Sequence, residues 1–475
     1  MTHYKQLYIA GRWVDSASTA EYPVINPATE QPITSVAECN LDDVNLAVAA
    51  AKTALPAWAT TPGRERARYI SAIAERLKQR ETELAELISR ELGMPAHLAL
   101  EIQVRGPIAG LESYIQYAHQ LDETEQIGNS LIVTEPVGVC ALISPWNYPL
   151  HQLIGKVGPA LAAGCTMVVK PSVEAPLSAY LLAQICADAG LPAGVFNLIS
   201  GSGHLVGEAL CTHHDVDMIS FTGSTQTGIK VAQSAANSVK RVCQELGGKS
   251  PLIITPEADL EAAVQYGVED IMINSGQTCT ALSRMLVPSS RYEEAVSHAR
   301  QVAEQIKVGS PQEAASFMGP LVSRQQQQVV QRYIQQGINE GARLIAGGLG
   351  KPAGIEAGYY VKPTIFADVH PNMTIAREEI FGPVLCMIPY QDLDDAVRIA
   401  NDSVFGLSAA VWADSEQQAL EVARRLQSGQ VFINGGAFNY QAPFGGYKQS
   451  GNGREWGLDS LREFTETKAI QLPRG

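Results

Sequence analysis

Across residues 64–92 the apolar side chains fall at Ala67, Ile70, Ile73, Leu77, Leu84, Leu87 and Ile88, spacings that place them in one stripe along a helix. Gly93 and Pro95 end the run, so the spacing predicts one long amphipathic helix. From residue 137 the texture changes. Short apolar runs at 137–143, 167–169, 195–199 and 218–221 are separated by helix-length segments such as 177–189. Alternation of this kind predicts a parallel, doubly wound sheet.

A second alternation follows Gly248, with strands expected at 252–254, 285–287, 384–389, 407–412 and 431–434 and helices at 260–273, 292–306 and 394–401. It predicts a second α/β domain. Residues 121–135, with Gly128-Asn129 between β-prone flanks, read as a hairpin, and the tail 464–472 as a further strand. Isolated hairpins are marginal, so both are expected to pair with another subunit. The glutamine run 325–328 reads as the polar face of a helix continuing to Tyr333 and Ile334.

Length and composition narrow the class. The 475 residues suit roughly three domain-sized masses, and 45% apolar with 18% charged residues is a globular mixture. The net charge of −14 repels phosphate backbones and anionic headgroups, which argues against nucleic acid and membrane partners. The start Met1-Thr2-His3-Tyr4-Lys5 has no basic region leading into an apolar stretch, and the apolar run at 157–169 is too short to span a bilayer. Eight cysteines lie scattered without C-x-x-C or Cys/His metal spacing, as expected of free thiols in a reducing cytoplasm.

Several segments that carry candidate chemistry follow expected strands. Cys279, in Asn274-Ser275-Gly276-Gln277-Thr278-Cys279-Thr280, has small polar neighbours that leave its sulfur approachable, as a nucleophile needs, although a free cysteine is most often a small buried hydrophobe. Glu245, in Gln244-Glu245-Leu246-Gly247-Gly248-Lys249, is a general base if desolvated and an ordinary loop carboxylate if not. Asn147, in Pro145-Trp146-Asn147-Tyr148-Pro149, follows an expected strand, where its amide either donates to an oxyanion or satisfies a turn. Phe221-Thr222-Gly223-Ser224-Thr225-Gln226-Thr227-Gly228 opens a helix whose first amides suit a phosphate, although it is not a P-loop; Gly201-Ser202-Gly203 is a second such turn. In His213-His214-Asp215-Val216-Asp217 adjacent histidines on a strand would face opposite ways, so no metal is expected.

Taken in order, Pro145 to Pro149, Lys170-Pro171-Ser172, Phe221 to Gly228, Glu245 to Lys249, Gly276 to Cys279, Glu378-Glu379-Ile380-Phe381-Gly382-Pro383 and Pro443-Phe444-Gly445-Gly446-Tyr447-Lys448-Gln449-Ser450-Gly451 closely resemble the aldehyde dehydrogenase superfamily. The resemblance covers nearly the whole chain. It implies two Rossmann-like, doubly wound parallel-sheet α/β domains with a small β-hairpin oligomerisation element. These are a cofactor domain at 1–118 and 138–247, a catalytic domain at 248–449, and the oligomerisation element at 119–137 and 450–475 of a homodimer or homotetramer.

The resemblance also implies roles. Cys279 would be the nucleophile, Glu245 the base for the deacylating water, Asn147 and the Cys279 amide the oxyanion hole, and Lys156 with Glu455 a proton relay. The cofactor, NAD with NADP as the alternative, would meet Ile143, Pro145, Trp146, Lys170, Gly203, Gly207, Gly223, Ser224, Gly247, Glu379 and Phe381. The substrate pocket would hold Tyr148, His151, Thr278, Thr280, Phe438 and Phe444.

Two departures stand out. Many NAD-preferring members read Lys-Pro-Ser-Glu, whereas Val173 takes that place here and Glu174 follows. Four and eight residues beyond Asn147, where large apolar side chains are common, stand His151 and Gly155, which suggests a roomier, more polar pocket for aromatic or functionalised aldehydes. The expected reaction is oxidation of an aldehyde to its acid. A CoA-acylating enzyme is disfavoured by Glu245, an acyl-phosphate-forming one by the lack of a further anion site, and a non-enzymatic protein by the coincidence of Cys279, Glu245 and Asn147.

Overall fold

In a computed structural model describing residues 3–473, five parallel strands form the centre of the first sheet, in the spatial order Phe196–Leu198, Thr166–Lys170, Val139–Ile143, Met218–Thr222, Arg241–Glu245. Residues 1–2 and 474–475, the outer ends of the expected cofactor domain and oligomerisation element, lie outside the described residues. The chain visits these strands in the order 3-2-1-4-5, so the winding reverses between Val139–Ile143 and Met218–Thr222. Ligands of open α/β sheets sit outside the carboxyl ends of strands at such a reversal.

The sheet is mixed, not purely parallel. Gln6–Ile9 joins one edge antiparallel to Phe196–Leu198 and pairs with Arg12–Asp15, while Gly451–Asn452 lies antiparallel on Arg241–Glu245 at the other. These edge strands, and the pair Glu21–Asn26 with Gln31–Ala37, are short and carry no long apolar run. The second sheet has seven strands: Arg343–Ala346, Thr364–Ala367, Val384–Tyr390, Arg284–Pro288, Pro251–Ile254, Ser408–Trp412 and Gln430–Ile433 in spatial order. Only Arg343–Ala346 runs antiparallel to its neighbour.

The stripe at 64–92 folds as two helices, Gly63–Gln79 and Glu81–Leu92. Arg80 leaves helical geometry (φ −115°, ψ 18°) and its N–H reaches back to the carbonyls of Leu77 and Lys78. The break falls on polar residues between two buried stretches, Ile70, Ile73 and Leu77 before it and Leu84, Ile88 and Leu92 after it, so the apolar spacing carries no trace of it.

The expected hairpin is Glu125–Ile127 with Ser130–Pro136, turning at Gly128-Asn129. It pairs within its own chain: Thr465–Gln471 runs antiparallel to Ser130–Pro136 along its whole length. The hairpin and the tail strand thus complete one three-stranded sheet whose outer strands, Thr465–Gln471 and Glu125–Ile127, keep free edges. The glutamine run lies in the helix Arg324–Asn339, which buries Val330 and Ile334. Among the described residues no helix is long and apolar enough to cross a membrane.

Candidate active site

The reversal of the first sheet meets the second sheet at a cavity of about 250 Å³. Its walls include Pro145, Trp146 and Asn147 after one central strand, Thr222, Gly223 and Ser224 after the next, and Gly247, Cys279, Glu379 and Phe381 from the far side.

Cys279 is half-buried, whereas the other seven cysteines are buried. Burial first, then the carboxylates of Glu379, Glu245 and Glu455, push its thiol well above the usual range. The loop before it is strained: Asn274 and Ser275, neither a glycine, both hold left-handed backbone (φ 52° and 56°), a cost of about 1–3 kcal/mol each. Hydrogen bonds over-determine that shape. Asn274 Nδ2 donates to Asn147 O at 2.9 Å, Ser275 Oγ to Gly319 O at 2.8 Å, and Gln277 Nε2 to Asn274 O at 2.9 Å, while Gln277 Oε1 accepts from Val322 N at 2.9 Å. Thr278 and Thr280 flank the sulfur, half-buried.

Gly276 is required twice over, by φ +71° and by the 2.1 Å that would separate a Cβ from Gly382 O. Gly276→Ala is expected to cost about 3 kcal/mol of stability, read as a lowered urea midpoint at unchanged slope.

Asn147 is buried beside this loop. Its Nδ2 donates to Gln277 O at 3.0 Å, and Gln103 Nε2 donates to its carbonyl at 3.0 Å. An amide nitrogen carries two protons, so one donor remains.

Glu245 ends the strand Arg241–Glu245, and both of its carboxylate oxygens are buried without a partner. Desolvation, then the charge of Glu455, raises its carboxyl well above the ordinary 4.5. Lys156, fully buried on the helix Pro149–Ala163, pairs with Glu455 and donates to Thr222 Oγ1 at 2.7 Å. Three ionisable side chains from positions 156, 245 and 455 therefore share one dry cluster.

Trp146 packs edge-on against Phe381, with centroids 5.3 Å apart. Glu379 Oε1 accepts from Gly248 N at 3.0 Å, and burial lifts its carboxyl to about 7. A Cβ on Gly247 would fall 2.2 Å from Glu379 Oε2, and one on Gly223 2.5 Å from Phe221. Ser224 caps the helix Thr225–Ala236.

Lys170, Gly203 and Gly207 are not on this cavity. Ile143 pairs with Lys170, whose Nζ donates to Pro171 O at 2.7 Å and Gly201 O at 3.2 Å, and burial lowers it to about 8. Glu38 stands beside them: Ser202 N donates to its Oε1 at 3.0 Å and its Oε2 is unpartnered. No atom would meet a Cβ on Gly203 or Gly207, so that backbone borders open space.

On the other side of Cys279, Tyr148 hydroxyl meets Thr278 Oγ1 at 2.7 Å, and the rings of Tyr148, His151, Phe438, Tyr440 and Trp456 pack together, with Phe444 against Phe438. Gly155 does not leave the expected room. A Cβ there would lie 3.2 Å from Trp456, whose indole fills the space and is also cradled by Gly110. Sequence reading missed Gln103, Asn274, Gln277, Glu38, Tyr440 and Trp456. The signals available were the amides Asn274 and Gln277 beside Cys279 and the aromatic Tyr440 near Phe444.

His213 and His214 stand in a turn, not a strand, and their rings stack at 4.9 Å, contrary to the opposite-face expectation. With Asp215 they bring three ligand atoms within 4.8 Å, but Asp215 is engaged by Lys52.

Known proteins show the same fold and sequence pattern. The chain is 48% identical over 99% of both sequences to 3-succinoylsemialdehyde-pyridine dehydrogenase of a Pseudomonas species. Aldehyde dehydrogenase C of Pseudomonas syringae, solved as a mutant with NAD+ and octanal, superposes with TM-score 0.96 at 48% identity, covering 99% of this chain and 97% of that one. A Mycobacterium tuberculosis aldehyde dehydrogenase complexed with NAD+ superposes with TM-score 0.97 at 40% identity, with 99% of each chain covered. Residues 13–470 match the profile described as the aldehyde dehydrogenase family, and the chain belongs to that family.

Proposed function

We propose that the protein oxidises an aldehyde to its carboxylic acid with NAD, through a thioester on Cys279 hydrolysed by water that Glu245 activates. The observation that carries this reading is Glu245, a buried carboxylate with no hydrogen-bond partner, in electrostatic reach of the half-buried Cys279 thiol.

Cys279, once deprotonated, attacks the aldehyde carbon. The spare Nδ2 proton of Asn147 and the Cys279 amide hold the resulting oxyanion. NAD, when bound, supplies the acceptor for the substrate's hydride. The cavity fits its nicotinamide end, with Trp146, Phe381 and Glu379 as walls, and the open backbone at Gly203 and Gly207 leaves room for the rest. Lys170 and Ser224 would hold the ribose and pyrophosphate. Glu38, whose charge acts on Lys170, would repel the further phosphate that NADP brings to the ribose, which favours NAD.

Glu245 then takes a proton from water as the water oxygen bonds to the thioester carbon, the C–S bond breaks, and the acid leaves with Cys279 returned as thiolate; the buried Lys156–Glu455 pair, which Thr222 also joins, would be the next acceptor for that proton. Ile143, Pro145, Gly223 and Gly247 shape the cofactor side, while Tyr148, Thr278, Thr280, Phe438 and Phe444 shape the substrate side.

The test is reduced-nicotinamide formation without CoA across aliphatic, aromatic and semialdehyde substrates, with NAD and then NADP. Turnover faster with NAD is expected; turnover that requires CoA would overturn the hydrolytic route. Asn147→Ala is expected to lower kcat about 10²-fold in stopped-flow measurements of the first turnover, with burst amplitude retained. The half-exposed sheet bearing Ile127, Ile470 and Leu472 suits a homo-oligomeric contact. Light scattering is expected to give a dimer or tetramer mass.

A further inference from the structure

His151 lies at the third position of the helix Pro149–Ala163, four residues beyond Asn147. Its ring is enclosed by four aromatic side chains: Trp456 at 5.0 Å between centroids, Tyr440 at 5.5 Å, and Tyr148 and Phe438 at 5.9 Å each. Nδ1 is buried and has no hydrogen-bond partner. The hydroxyl of Tyr148 is already engaged by Thr278. Burial alone drives the imidazole to about 3, so the ring is neutral at working pH and offers one N–H donor and one lone pair.

Contacts run from Thr278, next to Cys279, through Tyr148 to His151, and on to Phe438 at the edge of the exposed residues 434–437. A tail attached to an aldehyde at Cys279 that follows this line passes the imidazole. An apolar ring would fill the same cage without stranding a polar atom, and a buried polar atom left unpaired is costly until something supplies its partner.

We propose that His151 is a specificity-determining residue, and that it selects aldehydes whose tail carries an uncharged hydrogen-bonding group, such as a ring nitrogen, ketone or hydroxyl, set among aromatic walls. The proposal rests on the dehydrogenase reading above. The rings around His151 are all uncharged, so a carboxylate-bearing tail meets no counter-ion among them.

The test compares kcat/KM for 3-phenylpropanal with its three pyridyl isomers, which match it in shape and differ by one ring nitrogen, alongside hexanal and succinic semialdehyde. At least one pyridyl isomer is expected to exceed 3-phenylpropanal by about tenfold, the ratio one good hydrogen bond gives. Succinic semialdehyde is expected to be the poorest. His151→Phe should bring the pyridyl-to-phenyl ratio of kcat/KM within that variant to about one, and His151→Gln, which keeps a donor and an acceptor, should restore part of it.

If the wild-type ratio is within about twofold of one for all three isomers while hexanal is oxidised, the proposal is wrong and the dehydrogenase reading stands. Silence with every aldehyde, hexanal included, overturns both. Should His151→Phe fail to fold, the wild-type ratio and His151→Gln still decide.

Discussion

Cys279→Ala is expected to remove hydride transfer, lowering kcat by about 10⁴-fold or more, because a nucleophile's loss leaves only positioning and oxyanion stabilisation. The alanine keeps Cβ in place, so the strained loop at Asn274 and Ser275, held by Asn147, Gly319 and Val322, should stay folded. Stability within about 1 kcal/mol of wild type, from urea unfolding, would separate lost chemistry from lost structure. Retained steady-state turnover would remove Cys279 from its role. The same variant should still bind NAD, read by quenching of the tryptophan fluorescence to which Trp146 contributes.

Glu245→Gln carries the second-largest effect, a fall in steady-state turnover of about 10³-fold with a burst of reduced cofactor surviving. The burst follows because the amide leaves Cys279 and Asn147 untouched, and the stall follows because an amide takes no proton from water. In the wild type, burial and Glu455 raise the carboxyl above 4.5, so the neutral form prevails at low pH and deacylation should quicken as pH rises. A steady-state rate unchanged by the substitution would exclude Glu245 as the base.

The stability sign runs the other way. A carboxyl held higher in the folded than in the unfolded chain stabilises fully below the unfolded value of about 4.5, and that stabilisation is lost as pH rises through the folded value. Glutamine stays neutral throughout. Glu245→Gln is therefore expected to be more stable than wild type under alkaline conditions, seen as a higher melting temperature whose advantage shrinks on acidification. Equal pH dependence of the two melting temperatures would contradict the burial of this carboxylate.

Much of the architecture was legible in local spacing. Both strand–helix alternations, the turn at Gly128-Asn129 and the tail strand fold where apolar runs and turn residues place them. The N-terminal strands were not legible, since Gln6–Ile9 and Arg12–Asp15 are four residues each and are strands because they complete a sheet edge. The helix Leu41–Ala59 carries Pro56 and a weak apolar stripe, although Asn40 and Asp43 form a full capping box.

For this protein, sequence by itself determined which residues stand at strand ends, because hydrophobic period and turn chemistry are local, and it placed Asn147 and Ser224 just beyond two strands whose carboxyl ends a doubly wound sheet gathers to one edge. Tertiary structure alone decided their environments. Glu245 is stranded without a partner beside Glu455, some 200 positions away in the chain, Trp456 fills the room that Gly155 vacates, and His151 sits neutral in a cage closed by Phe438, Tyr440 and Trp456. Space and solvation are set by whatever else packs there, and no local pattern encodes elements that arrive from the far end of the chain.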